Sequence, residues 1–137
     1  MGHPTIYPTG VTVYNPEKCW NGFTIFQALE VGAVLMNMNG RENKVWKGVH
    51  GFPNKIFPGG YLMTSRGSRD GRYGVQDGLD LVQIDWDGNV VWKFDRNEYI
   101  EDPGIPGRWM ARSHHDYQRE GSTTGYYAPG MEPKTDS

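Results

Sequence analysis

A chain of 137 residues with a net charge near −2, its acids and bases mixed along the sequence, offers no electrostatic case for nucleic acid or an anionic membrane as main partner. Its one cysteine, Cys19, excludes an intrachain disulfide and any multi-cysteine zinc site, and no stretch approaches the apolar length of a transmembrane helix. Nineteen glycines and nine prolines make it turn-rich, while 13% aromatic residues are too many for a disordered polar segment, so one all-β domain is expected.

Residues 1–22 read as an extended N-terminal arm. Pro4, Pro8 and Pro16 surround Gly10-Val11-Thr12-Val13-Tyr14, a short strand of the kind that tolerates proline at a sheet edge. No basic region followed by an apolar run marks a secretory leader, so the chain as given reads as cytoplasmic. Asn21-Gly22 leads into a strand at Phe23-Thr24-Ile25-Phe26, and Ala33 to Lys47 reads as strand, glycine-containing turn, strand. Gly48 to Pro58 is a loop or an innermost strand, after which Pro58-Gly59-Gly60 turns the chain into the short strand Tyr61-Leu62-Met63-Thr64.

Ser65 to Gly78, rich in Gly, Arg and Asp, is expected to be a long surface loop. Its Arg66, Arg69 and Arg72 either bind an anion together or form a solvated charge run. Leu79 to Asp95 is the clearest hairpin, with two alternating runs flanking Asp87-Gly88, a dipeptide suited to a tight turn with positive φ. Asn97 to Arg112, carrying Pro103, Gly104, Pro106 and Gly107, is expected to be an irregular connection.

Val-Trp-Lys occurs at residues 45–47 and again at 91–93, 46 residues apart. A hairpin with a recurring tryptophan at a period of about 40 to 50 residues is the pattern of β-propeller blades, although two such hairpins also suit an ordinary β-sandwich. On the propeller reading, residues 23–137 hold about two antiparallel blades and the start of a third, with a further strand opening at Gly125-Tyr126-Tyr127-Ala128-Pro129-Gly130. Blades without neighbours leave sheet faces open and edges unpaired, so a companion chain or a homo-oligomer is expected to complete the propeller. Trp46 and Trp92 are then packing residues.

Chemistry concentrates in His114-His115-Asp116. Histidine titrates nearest neutrality and serves as acid, base, nucleophile or metal ligand. On an extended segment the two imidazoles point to opposite faces, so one of them faces a site, with Asp116 available to orient a ring and Arg112 and Arg119 as cationic donors to an anionic group. A satisfied polar cluster in a turn fits the same residues. Two adjacent histidines rarely chelate one ion and no third ligand sits at a telling spacing, so no metal is expected. His50 follows the first Val-Trp-Lys and is a lesser candidate for the same site.

Tyr14-Asn15-Pro16-Glu17-Lys18 followed by Asn21-Gly22-Phe23-Thr24, then Val82-Gln83-Ile84-Asp85-Trp86-Asp87-Gly88-Asn89-Val90-Val91-Trp92, then His114-His115-Asp116-Tyr117 form an ordered set. In that set the chain resembles the aryl-sulfate sulfotransferase (arylsulfotransferase) family, from Tyr14 to about Gly130. The resemblance implies a six-bladed propeller that moves a sulfuryl group from a phenolic sulfate ester to a phenol acceptor through a sulfated histidine, with no nucleotide donor and no cofactor. Family members are far longer and commonly exported, and their nucleophilic histidine comes from later blades. The resemblance therefore implies that activity needs further blades from another chain. His115 first and His114 second are the expected catalytic residues, with Arg112, Arg119 and His50 as substrate-binding residues. The alternative is a noncatalytic propeller-type binding or assembly module, or an inactive fragment.

Overall fold

The structure, a computed structural model, describes residues 11–74 and 77–117. Among these, nine strands form three antiparallel sheets with almost no helix. Strands β1 (Phe23–Ala28), β2 (Gly32–Asn37) and β3 (Glu42–Lys47) make a three-stranded meander. Strands β4 (Lys55–Phe57), β5 (Tyr61–Thr64), β6 (Val82–Ile84) and β7 (Val90–Lys93) make a four-stranded one. Strands β8 (Glu98–Asp102) and β9 (Ile105–Met110) pair as a hairpin, and no sheet closes on itself. The strand expected at Gly125 to Gly130 lies outside the described residues, as do residues 1–10 of the proline-bearing arm. Val11 to Tyr14 forms no strand.

The β2–β3 and β6–β7 hairpins share one turn chemistry. Asn37 and Asp85 each accept backbone N–H groups on the side-chain oxygen, from Asn39 and Arg41 in one case and from Asp87 and Asn89 in the other. Gly40 N–H donates to Asn37 O and Gly88 N–H to Asp85 O, at 3.0 and 3.1 Å. Both glycines have positive φ, 74° and 93°. The loop after Asp85 is thus three residues closing on a left-handed glycine, not the two-residue turn the Asp-Gly dipeptide suggests, because the Asp85 side chain organises the turn from its first position.

Apolar side chains from the first two sheets meet in one core: Ala33, Leu35, Trp46 and Val49 against Leu62, Val82 and Ile84. Burying each larger aliphatic side chain contributes about 1.5–3 kcal/mol. Trp46 spans the junction, its indole N–H donating to Asp85 O at 3.2 Å and its ring meeting Trp86 edge-on at 5.3 Å. Gly32, opposite Lys47 in the β-ladder with φ 132°, has no room for a side chain: a Cβ there would lie 2.0 Å from the Trp46 carbonyl oxygen. A polar chain reinforces the junction. Thr64 Oγ1 donates to Asn54 Oδ1, Asn54 Nδ2 to Gln27 Oε1, and Gln27 Nε2 to Val49 O.

Two segments differ from expectation. Asn97 to Arg112 holds the β8–β9 hairpin, with Pro103 and Gly104 at its tip and Gly104 at φ 77°. Proline followed by left-handed glycine is a turn signal as well as a strand breaker, and Pro106 is accommodated beside a register shift between Ile100 and Asp102. The segment from Ser65 to Gly78 keeps Arg66 and Arg72 at the surface, but among its described residues it is more than a solvated loop. Ser65 and Gly78 are buried, a short helix occupies Gly71–Gly74, and Ser68 bridges Gly78.

Candidate functional site

Backbone pairing gathers the site from three segments. Arg69 N–H donates to Asp77 O and Leu79 N–H to Gly67 O, so residues 67–69 lie beside 77–79. On the other side Gly78 N–H donates to Ser113 O, Arg112 N–H to Gly78 O and Ala111 N–H to Leu79 O. The chain leaving β9 is thereby held against residues 78 and 79, and the residue after Ser113 arrives next to Asp77.

That residue is His114. Its Nδ1 lies 2.9 Å from Asp77 Oδ1. The other carboxylate oxygen of Asp77 accepts from Arg69 Nη1 at 3.2 Å, and Arg69 turns its remaining donors, Nε and Nη2, onto both oxygens of Asp102 at the end of β8. The Arg69, Asp77 and Asp102 side chains are 10–16% exposed, so this is a largely desolvated array. Hydrogen bonds from Arg69 hold the Asp102 carboxyl below the ordinary carboxylate range, against the opposite pull of burial. A carboxylate only accepts, so the neutral imidazole of His114 carries its proton on Nδ1 and keeps Nε2 as its basic nitrogen.

His115 sits at the centre of a three-residue turn in which Asp116 N–H donates to His114 O at 2.7 Å. Its φ is 61°, and Arg112 is left-handed too at 52°. Non-glycine residues in this region cost about 1–3 kcal/mol each, a strain that clusters at functional sites. The turn replaces the extended geometry expected from sequence. The imidazoles therefore do not point to opposite faces: their centroids are 4.2 Å apart, with His115 also edge-on to Phe52 at 5.0 Å.

Asp116 does not orient an imidazole. It pairs with Lys55 Nζ at 2.6 Å, and that hydrogen bond, with one from Tyr117 N–H, keeps its carboxyl below the usual range. Acid should expose both pairings. The native-state pKa values of Asp102 and Asp116 are depressed, so their stabilisation is complete above the unfolded value of about 3.9 and is lost as pH falls through the native values. Thermal midpoints should drop below about pH 4, and Asp102→Asn should flatten that decline. An equal decline in the variant would show that Asp102 plays no part. The Lys55–Asp116 pair contributes less, because Asp116 is 76% exposed.

Tyr117 anchors the turn to the four-stranded sheet. Its hydroxyl hydrogen is shared between Pro53 O and Met63 O, and Lys55 Nζ donates to its backbone carbonyl. Burial, helped by the Asp116 charge, pushes the phenol well above its ordinary pKa, so it stays a donor. Tyr117→Phe keeps the ring and removes the donor, and should cost about 1–3 kcal/mol in urea unfolding. An unchanged midpoint would show that the hydroxyl is no anchor.

His114 and Asp77 line an open cavity of about 550 Å³ with Phe94, Arg96, Glu98, Ala111 and Arg112. Arg112 reaches Glu98 at 3.2 Å, while no ion pair engages Arg96 among the described residues. The opening thus combines an oriented imidazole, an aromatic wall at Phe94, the Asp77 and Glu98 carboxylates and two guanidinium groups. Of the two, Arg96 is the one with no ion pair among the described residues to compete with an anionic group. His50 lines a separate cleft of about 50 Å³ with Glu30 and Val31, and the structure does not bring it to this cavity. Arg119 lies outside the described residues. Arg66, Arg69 and Arg72 form no shared anion site, because each is matched to a carboxylate: Asp80, then Asp77 with Asp102, then Asp70.

Sequence reasoning did not single out Asp77, Asp102 or Arg96 as site residues, and it named Arg69 only with Arg66 and Arg72, as an anion site or a solvated charge run. Asp77 and Asp102 lie 37 and 12 residues from His114; the density of Arg and Asp in the 65–78 segment was a signal for Asp77, and none pointed to Asp102. Among the described residues no group of three or more His, Cys, Asp and Glu side chains could hold a metal ion, and no helix is long and apolar enough to cross a membrane. No protein-family model matches the chain, and neither does any curated protein or any solved structure.

Proposed function

We propose that this chain supplies the proton-transfer and anion-binding face of an aryl-sulfate sulfotransferase, completed by further propeller blades that bring the nucleophile. The observation that carries the reading is the Asp77–His114 pair at 2.9 Å on the wall of a cavity flanked by Arg96 and Arg112. In this reading the four-stranded meander β4–β7 is one blade and β1–β3 most of another. The shared turn at Asn37 and Asp85, and Val-Trp-Lys on the last strand of both sheets, support it.

Sulfuryl transfer through a covalent intermediate sets two demands that these residues meet. When the donor ester loses its sulfuryl group, the departing phenolate needs a proton, which the imidazolium form of His114 supplies from Nε2–H while Asp77 keeps hold of Nδ1–H, leaving a neutral ring with Nε2 basic. When the acceptor phenol attacks the sulfated nucleophile, the same nitrogen takes the phenol's proton, restoring the first state. Arg96 and Arg112 hold the sulfate oxygens, whose charge shifts toward the bridging oxygen as the S–O bond breaks. Open sheet edges suit a companion chain or a homo-oligomer, and only blades other than these can bring the nucleophile, because a further copy of this chain repeats the residues already present.

The test is phenolate release from a chromogenic aryl sulfate by the native assembly, with and without an added phenol. Acceptor-dependent release with equimolar sulfation of the acceptor is expected; release that ignores the acceptor would make the protein a hydrolase or a contaminant. A second reading, a noncatalytic assembly module, is favoured by the Tyr99–Trp109 pair on β8–β9, 51% and 66% exposed. It requires association that survives replacement of both His114 and His115, without turnover.

A further inference from the structure

We propose that Arg69, fixed by Asp102, is a positioning residue that sets the tautomer of His114 through Asp77. The inference rests on the reading of His114 as the group that faces substrate, but its geometry stands apart from any substrate. Arg69 stands between two carboxylates, meeting Asp102 with a two-pronged fork and Asp77 with a single N–H. The single bond is directed to Asp77 Oδ2, which leaves Oδ1 to accept from His114 Nδ1. With Oδ2 tied to Arg69 and the backbone of Asp77 paired to Arg69 N–H, the carboxylate has little freedom to rotate away from the imidazole.

The arrangement also explains why an arginine stands at this position. A lysine is a point charge with no planar fork and cannot bridge Asp102 bidentately while reaching Asp77. Asp102 belongs to the β8–β9 hairpin, whereas Arg69 and Asp77 belong to the segment between β5 and β6. The orientation of His114 therefore depends on how the hairpin seats. Tyr73 makes the same connection, its hydroxyl donating to Pro103 O at 2.7 Å. A partner that displaced the hairpin would release Arg69 from Asp102 and loosen the imidazole without touching it.

The readout is the pair of imidazole nitrogen chemical shifts of His114 in protein labelled at histidine, assigned by the signal lost in His114→Ala. With the imidazole neutral, Nδ1 of the unmodified protein should be pyrrole-like and Nε2 pyridine-like, the reverse of the preference of free histidine. Arg69→Lys and Asp102→Asn should each move the Nδ1 signal toward the pyridine-like position, with the His50 signals unchanged as the mark of a preserved fold. Arg66→Lys, which alters the comparable ion pair with Asp80 in the same segment, should leave His114 unmoved. If Arg69→Lys does not fold, Asp102→Asn gives the same reading. Unmoved His114 signals in folded Arg69→Lys and Asp102→Asn overturn the inference, as does an equal change in Arg66→Lys. A tautomer that responds in a protein without sulfuryl transfer would retire the proposed function and leave the positioning role standing.

Discussion

Replacing Trp46 with alanine is expected to destabilise the protein by about 3–5 kcal/mol, against a total of about 5–15 kcal/mol for a domain. Trp46 is 3% exposed and belongs to the core that joins the first two sheets. The truncation opens a cavity among Ala33, Leu35, Leu62 and Ile84, removes the edge-on contact with Trp86 and deletes the indole N–H bond to Asp85 O. That carbonyl still accepts from Gly88 N–H, so most of the loss comes from packing. Trp46→Phe, which refills much of the space, should recover more than half of it. Trp92→Ala should cost less, because Trp92, its counterpart in the repeat, is only half-buried. Urea midpoints at unchanged slope measure all three. A loss under about 1 kcal/mol for Trp46→Ala would mean that the two sheets are not joined through this residue.

His114→Ala is expected to lower acceptor-dependent sulfuryl transfer by about 10²–10⁴-fold, the range for removing a positioned acid–base group. The substitution deletes the nitrogen that Asp77 orients and leaves Arg96 and Arg112 in place, so the loss should fall on kcat more than on KM. His115→Ala should reduce activity far less. Its ring packs on Phe52 and His114, with no carboxylate partner among the hydrogen bonds of the described residues. This order reverses the expectation from spacing, which places His115 first. Loss of activity in His115→Ala with an active His114→Ala would put His115 first again and remove Asp77 from the mechanism.

Elements carried by local pattern were legible. The strand after Gly22, the two glycine-turned hairpins and the Tyr61–Thr64 strand all come from alternation and turn residues, which act within a few positions. The β8–β9 hairpin was hidden because proline and glycine read equally as breakers and as a hairpin tip. The site was legible as a neighbourhood, His114 to Asp116, and not as a constellation. Asp77, Arg69 and Asp102 reach His114 only after residues 67–69, 77–79 and 111–113 align side by side, a pairing with no signature in any one segment. The exchange of Asp116 for Asp77 as the histidine's partner has the same origin. The tight turn at His115 sends Asp116 toward Lys55, which local spacing does not reveal.

The most direct test of the central claim, that this chain provides an oriented histidine to a site other blades complete, is to separate native material from its source by size and assay each fraction for acceptor-dependent sulfuryl transfer. Activity is expected in a particle containing this chain and well above the chain's own 15.5 kDa. Activity at the mass of the single chain, or none in any fraction that contains it, would contradict the claim.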